Sequence, residues 1–172
     1  MDLAQLYEQC APNVAPQTLA AIVRVESGGN PWRIGINGDY VLPRQPMNQA
    51  EAILDANRLI GMGCNIDMGL MQVNVKNLDA LKLSVEKVFD PCTNIKAGAQ
   101  ILQNFYQKSA NEMGQGQQSL RRAISAYNTG NFSKGFANGY VAKVTNEKTQ
   151  PIESSIMAKA LESSSVLAWS RE

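Results

Sequence analysis

The stretch DPCTNIKAGAQILQNFYQKSANEM, Asp90 to Met113, limits the fold more than any other segment of the chain. Asp90 stands where a helix cap belongs and Pro91 takes the first helical position, with Ile95, Ala99, Leu102 and Tyr106 recurring at helical intervals behind them. Apolar residues occur all round this helix, so it must be covered on several sides, and the other elements have to pack around it. With 172 residues and 44% hydrophobic content, the chain has material for one domain with a real core and too little length for two. We expect a domain over residues 1–150 and a Ser-rich tail over 151–172, weakly helical or flexible.

Shorter helices surround the central one. Asp2 can cap a first helix carrying Leu3, Leu6, Tyr7 and Cys10, which Pro12 and Asn13 break. A second runs from Pro16 through PQTLAAIVRVES to Gly28 and Gly29. Asn48 and Glu51 have capping-box spacing ahead of Ala52, Ile53, Ala56 and Ile60. Ser119 is expected to cap a helix bearing Leu120, Ala123, Ile124 and Tyr127, closed by Gly130, and a last core helix runs from about Asn138 to Pro151. INGDY carries an Asn-Gly hairpin signal, which would set Ile34 and Ile36 against Tyr40 to Leu42. NIDMGLMQVNVKNL predicts a short strand to Asn74 and then a helical turn. The fold class is therefore α+β, predominantly helical, with a small β-hairpin region.

Composition excludes several functions. A net charge of +1 gives no field for gathering nucleic acid or anionic lipid, so no nucleic-acid partner is expected. No apolar run reaches the roughly 18 to 20 residues of a membrane span, and the N-terminus lacks a signal-peptide pattern. The chain has no histidine and no CxxC pair, which rules against a zinc site and against Ser-His or Cys-His catalysis; no metal or cofactor is expected. Cys10, Cys64 and Cys92 are equally readable as three buried thiols or as one disulfide and a leftover.

Glu26 breaks the pattern of the second helix, whose stripe reads Leu19, Ile22, Val23 and then a carboxylate. An acid there loses hydration and feels the negative end of the helix dipole; both effects favour the protonated form, the state a general acid needs. A solvated surface acid is the competing reading, since an apolar stripe is about 100° wide and helix ends fray. Spacing alone does not choose between them.

The segments VESGGNPW, DMGLMQVN, DPCTNIKAGAQIL, AYNTG and GYVAKV, taken in this order, resemble those of the lysozyme-like lytic transglycosylases, of the kind that accompany type IV secretion and conjugation systems. The likeness extends over roughly residues 7 to 145. It implies a lysozyme-like fold whose hairpin region flanks a cleft, and an enzyme that cuts peptidoglycan between N-acetylmuramic acid and N-acetylglucosamine, leaving 1,6-anhydro ends. Glu26 matches the family's single catalytic acid/base. Ser27, Gln72, Tyr127, Asn128 and Tyr140 match cleft residues, with Leu70 beside them; Gly69 would let the backbone approach the sugar, and Met71 would supply an apolar floor. Each of Gln72, Tyr127 and Tyr140 could equally make structural hydrogen bonds behind the cleft.

Asp67 is the candidate second carboxylate, because DMGLMQVN also resembles the strand of animal-type lysozymes that carries one; a retaining hydrolase is the alternative. The resemblance further implies a periplasmic location, peptidoglycan strands and type IV secretion components as partners, and a Cys10–Cys92 disulfide with Cys64 free. A non-catalytic peptidoglycan-binding assembly protein, which should lack the acid, and a purely helical adaptor are the remaining rivals.

Overall fold

The structure is a computed structural model that describes residues 3–145. The cap expected at Asp2, the end of the last helix and the tail lie outside the described residues. The elements are α1 (Leu3–Cys10), α2 (Pro16–Glu26), β1 (Ile34–Asn37), α3 (Gln49–Gly61), β2 (Asn65–Met68) and β3 (Val73–Asn74). A 3-10 turn (Val75–Asn77) then leads into α4 (Leu78–Leu81), α5 (Val85–Val88), α6 (Pro91–Met113), α7 (Gln117–Thr129), α8 (Lys134–Ala137) and α9 (Tyr140–Thr145).

Helix α6 is the axis of the molecule. Its cap forms as expected: the Asp90 carboxylate accepts from the Thr93 amide at 2.8 Å and from the Thr93 hydroxyl at 2.7 Å. Ile95, Ala99, Leu102 and Tyr106 join a helical core with Leu19, Ile22, Leu120, Ile124 and Val144, drawn from α2, α7 and α9. Ala97 turns to a second core of Ile34, Ile66, Met68 and Val73 from the sheet and Ala52, Ala56 and Leu59 from α3. Two lobes therefore share one helix, and burial of each large aliphatic side chain contributes about 1.5–3 kcal/mol. A disulfide between Cys10 and Cys92, S–S 2.03 Å, ties α1 to the first turn of α6, and Cys64 is free.

The sheet is antiparallel in the order β1-β2-β3, with Gly35 opposite Asp67 and Asp67 opposite Asn74. Alternation sends Ile34, Ile66, Met68 and Val73 into the core and leaves Gly35, Asn37, Asn65, Asp67 and Asn74 on the other, polar face.

Three expectations need correction. Ile34 and Ile36 pair with Met68 and Ile66, not with Tyr40 to Leu42. A local hairpin would have faced β1 with residues such as Val41, which is 80% exposed, whereas the distant strand brings Ile66 and Met68 into a common core. The outer edge of Ile34 is closed by Gln45 instead, whose side chain accepts from the Ile34 amide at 2.8 Å and donates to its carbonyl at 3.0 Å. The single strand ending at Asn74 is in fact two strands, β2 and β3, around the loop Gly69 to Gln72. Finally, Ser119 lies inside α7, one turn past the Gly116 cap, and its buried hydroxyl donates to the Gly114 carbonyl at 2.6 Å. The short helices α5 and α8 went unforeseen, because four residues carry no readable period.

Candidate active site

Helix α2 delivers Glu26 as its last residue. The Ser27 hydroxyl donates to the Val23 carbonyl at 3.1 Å and accepts from the Gly29 amide at 3.2 Å, while Gly28 (φ +63°) and Gly29 (φ +84°) take left-handed backbone that turns the chain away. Ser27 is thus buried as part of the helix end. Glu26 is half-buried and accepts a hydrogen bond from the hydroxyl of Tyr140, the first residue of α9.

Burial is the largest influence on Glu26 and pushes its pKa from 4.5 up to about 7; the Tyr140 hydrogen bond opposes it, the charge of Asp67 adds to it, and the charge of Arg33 opposes it. The carboxyl therefore keeps its proton to a far greater extent near neutrality than an ordinary glutamate does. Burial, the foremost cause, with the nearby Glu26 charge, raises both Tyr127 and Tyr140, so these phenols stay protonated and serve only as hydrogen-bond groups.

The loop Gly69 to Gln72 is shaped by a residue that motif reading passed over. Asn94, buried at 1% exposure in the first turn of α6, accepts from the Met71 amide at 2.8 Å and donates to the carbonyls of Met68 (2.9 Å) and Val88 (2.8 Å). Both of its side-chain N–H groups and one acceptor position of its oxygen are spent on backbone groups of the loop and of α5 that would otherwise be left unpaired. Gln72 holds the other end: its backbone takes φ +48°, and its side-chain Nε2 donates to the Gly69 carbonyl at 2.9 Å and the Arg33 carbonyl at 3.1 Å. Tyr127 closes the arrangement from α7 by donating to the Met71 carbonyl at 2.7 Å.

These contacts revise several expected roles. Gly69 is buried, and a Cβ there would meet the Asn94 amide at 2.2 Å, so the space it leaves is filled by Asn94, not open to a sugar. Leu70 and Met71 are 1% and 0% exposed, and Met71 packs on Gly98 of α6; the apolar floor expected of Met71 does not form. Asn128 is exposed and accepts from the Asn138 amide at 3.1 Å. Asp67, on the polar face of the sheet, has one oxygen held by Asn37 and the other by Asn74, each at 2.7 Å. The structure thus brings Asp67, Tyr127 and Tyr140 within electrostatic reach of Glu26 and buries Leu70 and Met71 in the core.

The one signal for Asn94 was that it is polar in a helix whose apolar residues occur all round; its burial came only with the structure. Asn37, Asn74 and Arg33 had none, since their roles arise from strand register. Among the described residues no group of three or more acidic, cysteine or histidine side chains could hold a metal ion.

An acid whose pKa is raised toward neutrality, beside phenols that do not titrate, can give a proton to a leaving group and recover one in a later step. Comparison with known proteins gives the family. The transglycosylase SLT domain matches the chain over residues 4–150, which includes every residue just described. The chain belongs to the transglycosylase SLT domain family. Type IV secretion system protein virB1 of Brucella suis biovar 1 (strain 1330) is 45% identical over 156 residues, 86% of this chain and 65% of that protein. Protein virB1 of Agrobacterium fabrum (strain C58 / ATCC 33970) is 42% identical over 144 residues, 83% of this chain and 57% of that protein. This SLT domain therefore spans less than two thirds of the length of those relatives. No solved structure gives a significant match. Among the described residues no helix is long and apolar enough to cross a membrane.

Proposed function

We propose that this SLT domain is a peptidoglycan lytic transglycosylase cutting the β-1,4 bond between N-acetylmuramic acid and N-acetylglucosamine. The observation that carries the reading is Glu26, a half-buried carboxyl with a pKa of about 7 held by the Tyr140 hydroxyl. Glu26 protonates the glycosidic oxygen as the bond from the muramyl anomeric carbon breaks. The resulting carboxylate takes the proton of the same muramyl residue's 6-hydroxyl, whose oxygen bonds to that carbon. A 1,6-anhydro end forms, no water is consumed, and Glu26 is left protonated. A pKa near the working pH suits both halves of the cycle.

Asp67 supports a second reading. A carboxylate with both oxygens fixed by asparagine amides, and whose charge reaches Glu26, is suited to be the nucleophile or the charge stabiliser of a retaining hydrolase. Mass spectrometry of the products from purified sacculi separates the two: anhydro ends support transglycosylation, reducing ends the hydrolase. Glu26→Gln should abolish muropeptide release while leaving sedimentation with cell walls intact. Release by that variant would overturn both readings of Glu26, whereas wall binding without release by the wild-type chain would leave a wall-binding assembly protein.

The same reading puts the domain in the bacterial periplasm, opening the wall for a type IV secretion apparatus whose components are its partners. The virB1 relatives support this context, and the Cys10–Cys92 bridge fits an oxidising compartment.

A further inference from the structure

We infer that Arg33 is a specificity residue that binds a carboxylate carried by the muramyl residues of the glycan; the inference rests on the function proposed above. Its backbone is fixed, since the Arg33 carbonyl accepts from the Gly69 amide at 2.9 Å and from the Gln72 side chain at 3.1 Å, and its amide donates to the Asn30 carbonyl at 3.4 Å. The bond to Gly69 continues the β1–β2 ladder by one residue. Alternation then puts the Arg33 side chain on the face of Gly35 and Asn37, opposite Ile34, and hence on the polar face that carries Asp67. The side chain is exposed there, close enough for its charge to be felt at Glu26.

The carboxylates near it are already engaged. Glu26 accepts from the Tyr140 hydroxyl, and the two oxygens of Asp67 accept from Asn37 and Asn74. Among the described residues Arg33 takes part in none of the ion pairs, which join Arg44 to Glu51, Arg58 to Asp55 and Arg122 to Glu112. A guanidinium on a fixed backbone, on the polar face that carries Asp67 and with its five donors uncommitted to any acid, is arranged for an incoming planar anion. A strand of N-acetylglucosamine alone has none. Muramyl residues carry a lactyl ether whose carboxyl is either free or extended by an acidic peptide, and both present carboxylates next to the scissile bond.

The test measures binding, so that catalysis does not confound it. Glu26→Gln and the double variant Glu26→Gln/Arg33→Gln are titrated with three soluble probes: peptide-bearing glycan strands, the same strands stripped of peptide, and a neutral N-acetylglucosamine oligomer of equal length. Loss of Arg33 should cut the preference for acid-bearing over neutral strands about tenfold, and Arg33→Lys should restore part of it. A loss on peptide-bearing strands only assigns the peptide carboxylates; a loss on both assigns the lactyl group as well. An equal loss on all three probes, or no change on any, overturns the inference. Failure of the proposed function appears separately, as absence of muropeptide release by the wild-type enzyme.

Discussion

The hydroxyl of Tyr140 donates a hydrogen bond to the carboxyl of Glu26 across 114 positions of sequence. One residue ends α2 and the other begins α9, and the two helices are held together by the helical core around α6. The bond favours the ionised acid and so works against burial, which favours the neutral one; burial wins, and the pKa settles near 7.

Activity should therefore fall as pH rises through about 7, where the acid form of Glu26 is lost. Tyr140→Phe removes the contribution that lowers the pKa, so the alkaline limb of the rate profile should move up by about one pH unit as the maximal rate drops. An alkaline limb shifted downward in the variant would contradict this account of Glu26.

Glu26 should also cost stability. Below pH 4.5 the acid is protonated in both folded and unfolded chains and makes no difference; between 4.5 and about 7 the unfolded chain ionises while the folded one resists. The stability that the raised pKa represents is lost as pH rises through the folded value. Glu26→Gln keeps an acceptor for Tyr140 and carries no charge, so at pH 8 it should be more stable than wild type by about 3 kcal/mol, a gain that disappears by pH 4. Urea unfolding at the two pH values measures it, and equal stabilities at pH 8 would count against a buried acid.

Asn94 is expected to be more costly to lose than any exposed polar residue. Asn94→Leu strands the Met71 amide and the Met68 and Val88 carbonyls, with an expected loss of about 3–5 kcal/mol. Gly69→Ala attacks the same contact from the other side, through a Cβ at 2.2 Å from the Asn94 amide and an unfavourable φ of +78°, and should cost at least about 2 kcal/mol. Denaturant midpoints with unchanged slopes would show these as losses of native stability.

The Cys10–Cys92 bridge spans 82 positions. Loop-closure entropy alone gives it about 4 kcal/mol of stabilisation. Replacing both cysteines by serine should lower stability by about that amount, and alkylation of the unfolded, unreduced chain followed by intact mass should count one free thiol, Cys64.

Glu26 was visible in the sequence as a polar interruption of an apolar stripe, because a helix repeats every 3.6 residues and its faces can be read locally; Asn94, just ahead of the stripe that starts at Ile95, was passed over. Asp90, Pro91, Asn48 and Glu51 announced their helix starts for the same reason: a cap acts within one turn. The sheet was different. Asn-Gly at 37–38 argued for a neighbour at 40–42, yet β1 took β2, about thirty residues on, because only that pairing buried Ile34 against Ile66 and Met68.

What the sequence determined by itself was a helical domain wrapped on α6 and the place of an acid at the end of α2, since period, caps and breakers are local properties of a chain; that this acid is half-buried came from the fold. The tertiary structure alone decided which phenol meets that acid, that Asp67 is held by Asn37 and Asn74, that Gly69 makes room for an asparagine, and that Arg33 shares a face with Asp67. Each depends on strand register or on contact between distant helices, and those are selected by the total apolar surface buried, a quantity no short segment carries.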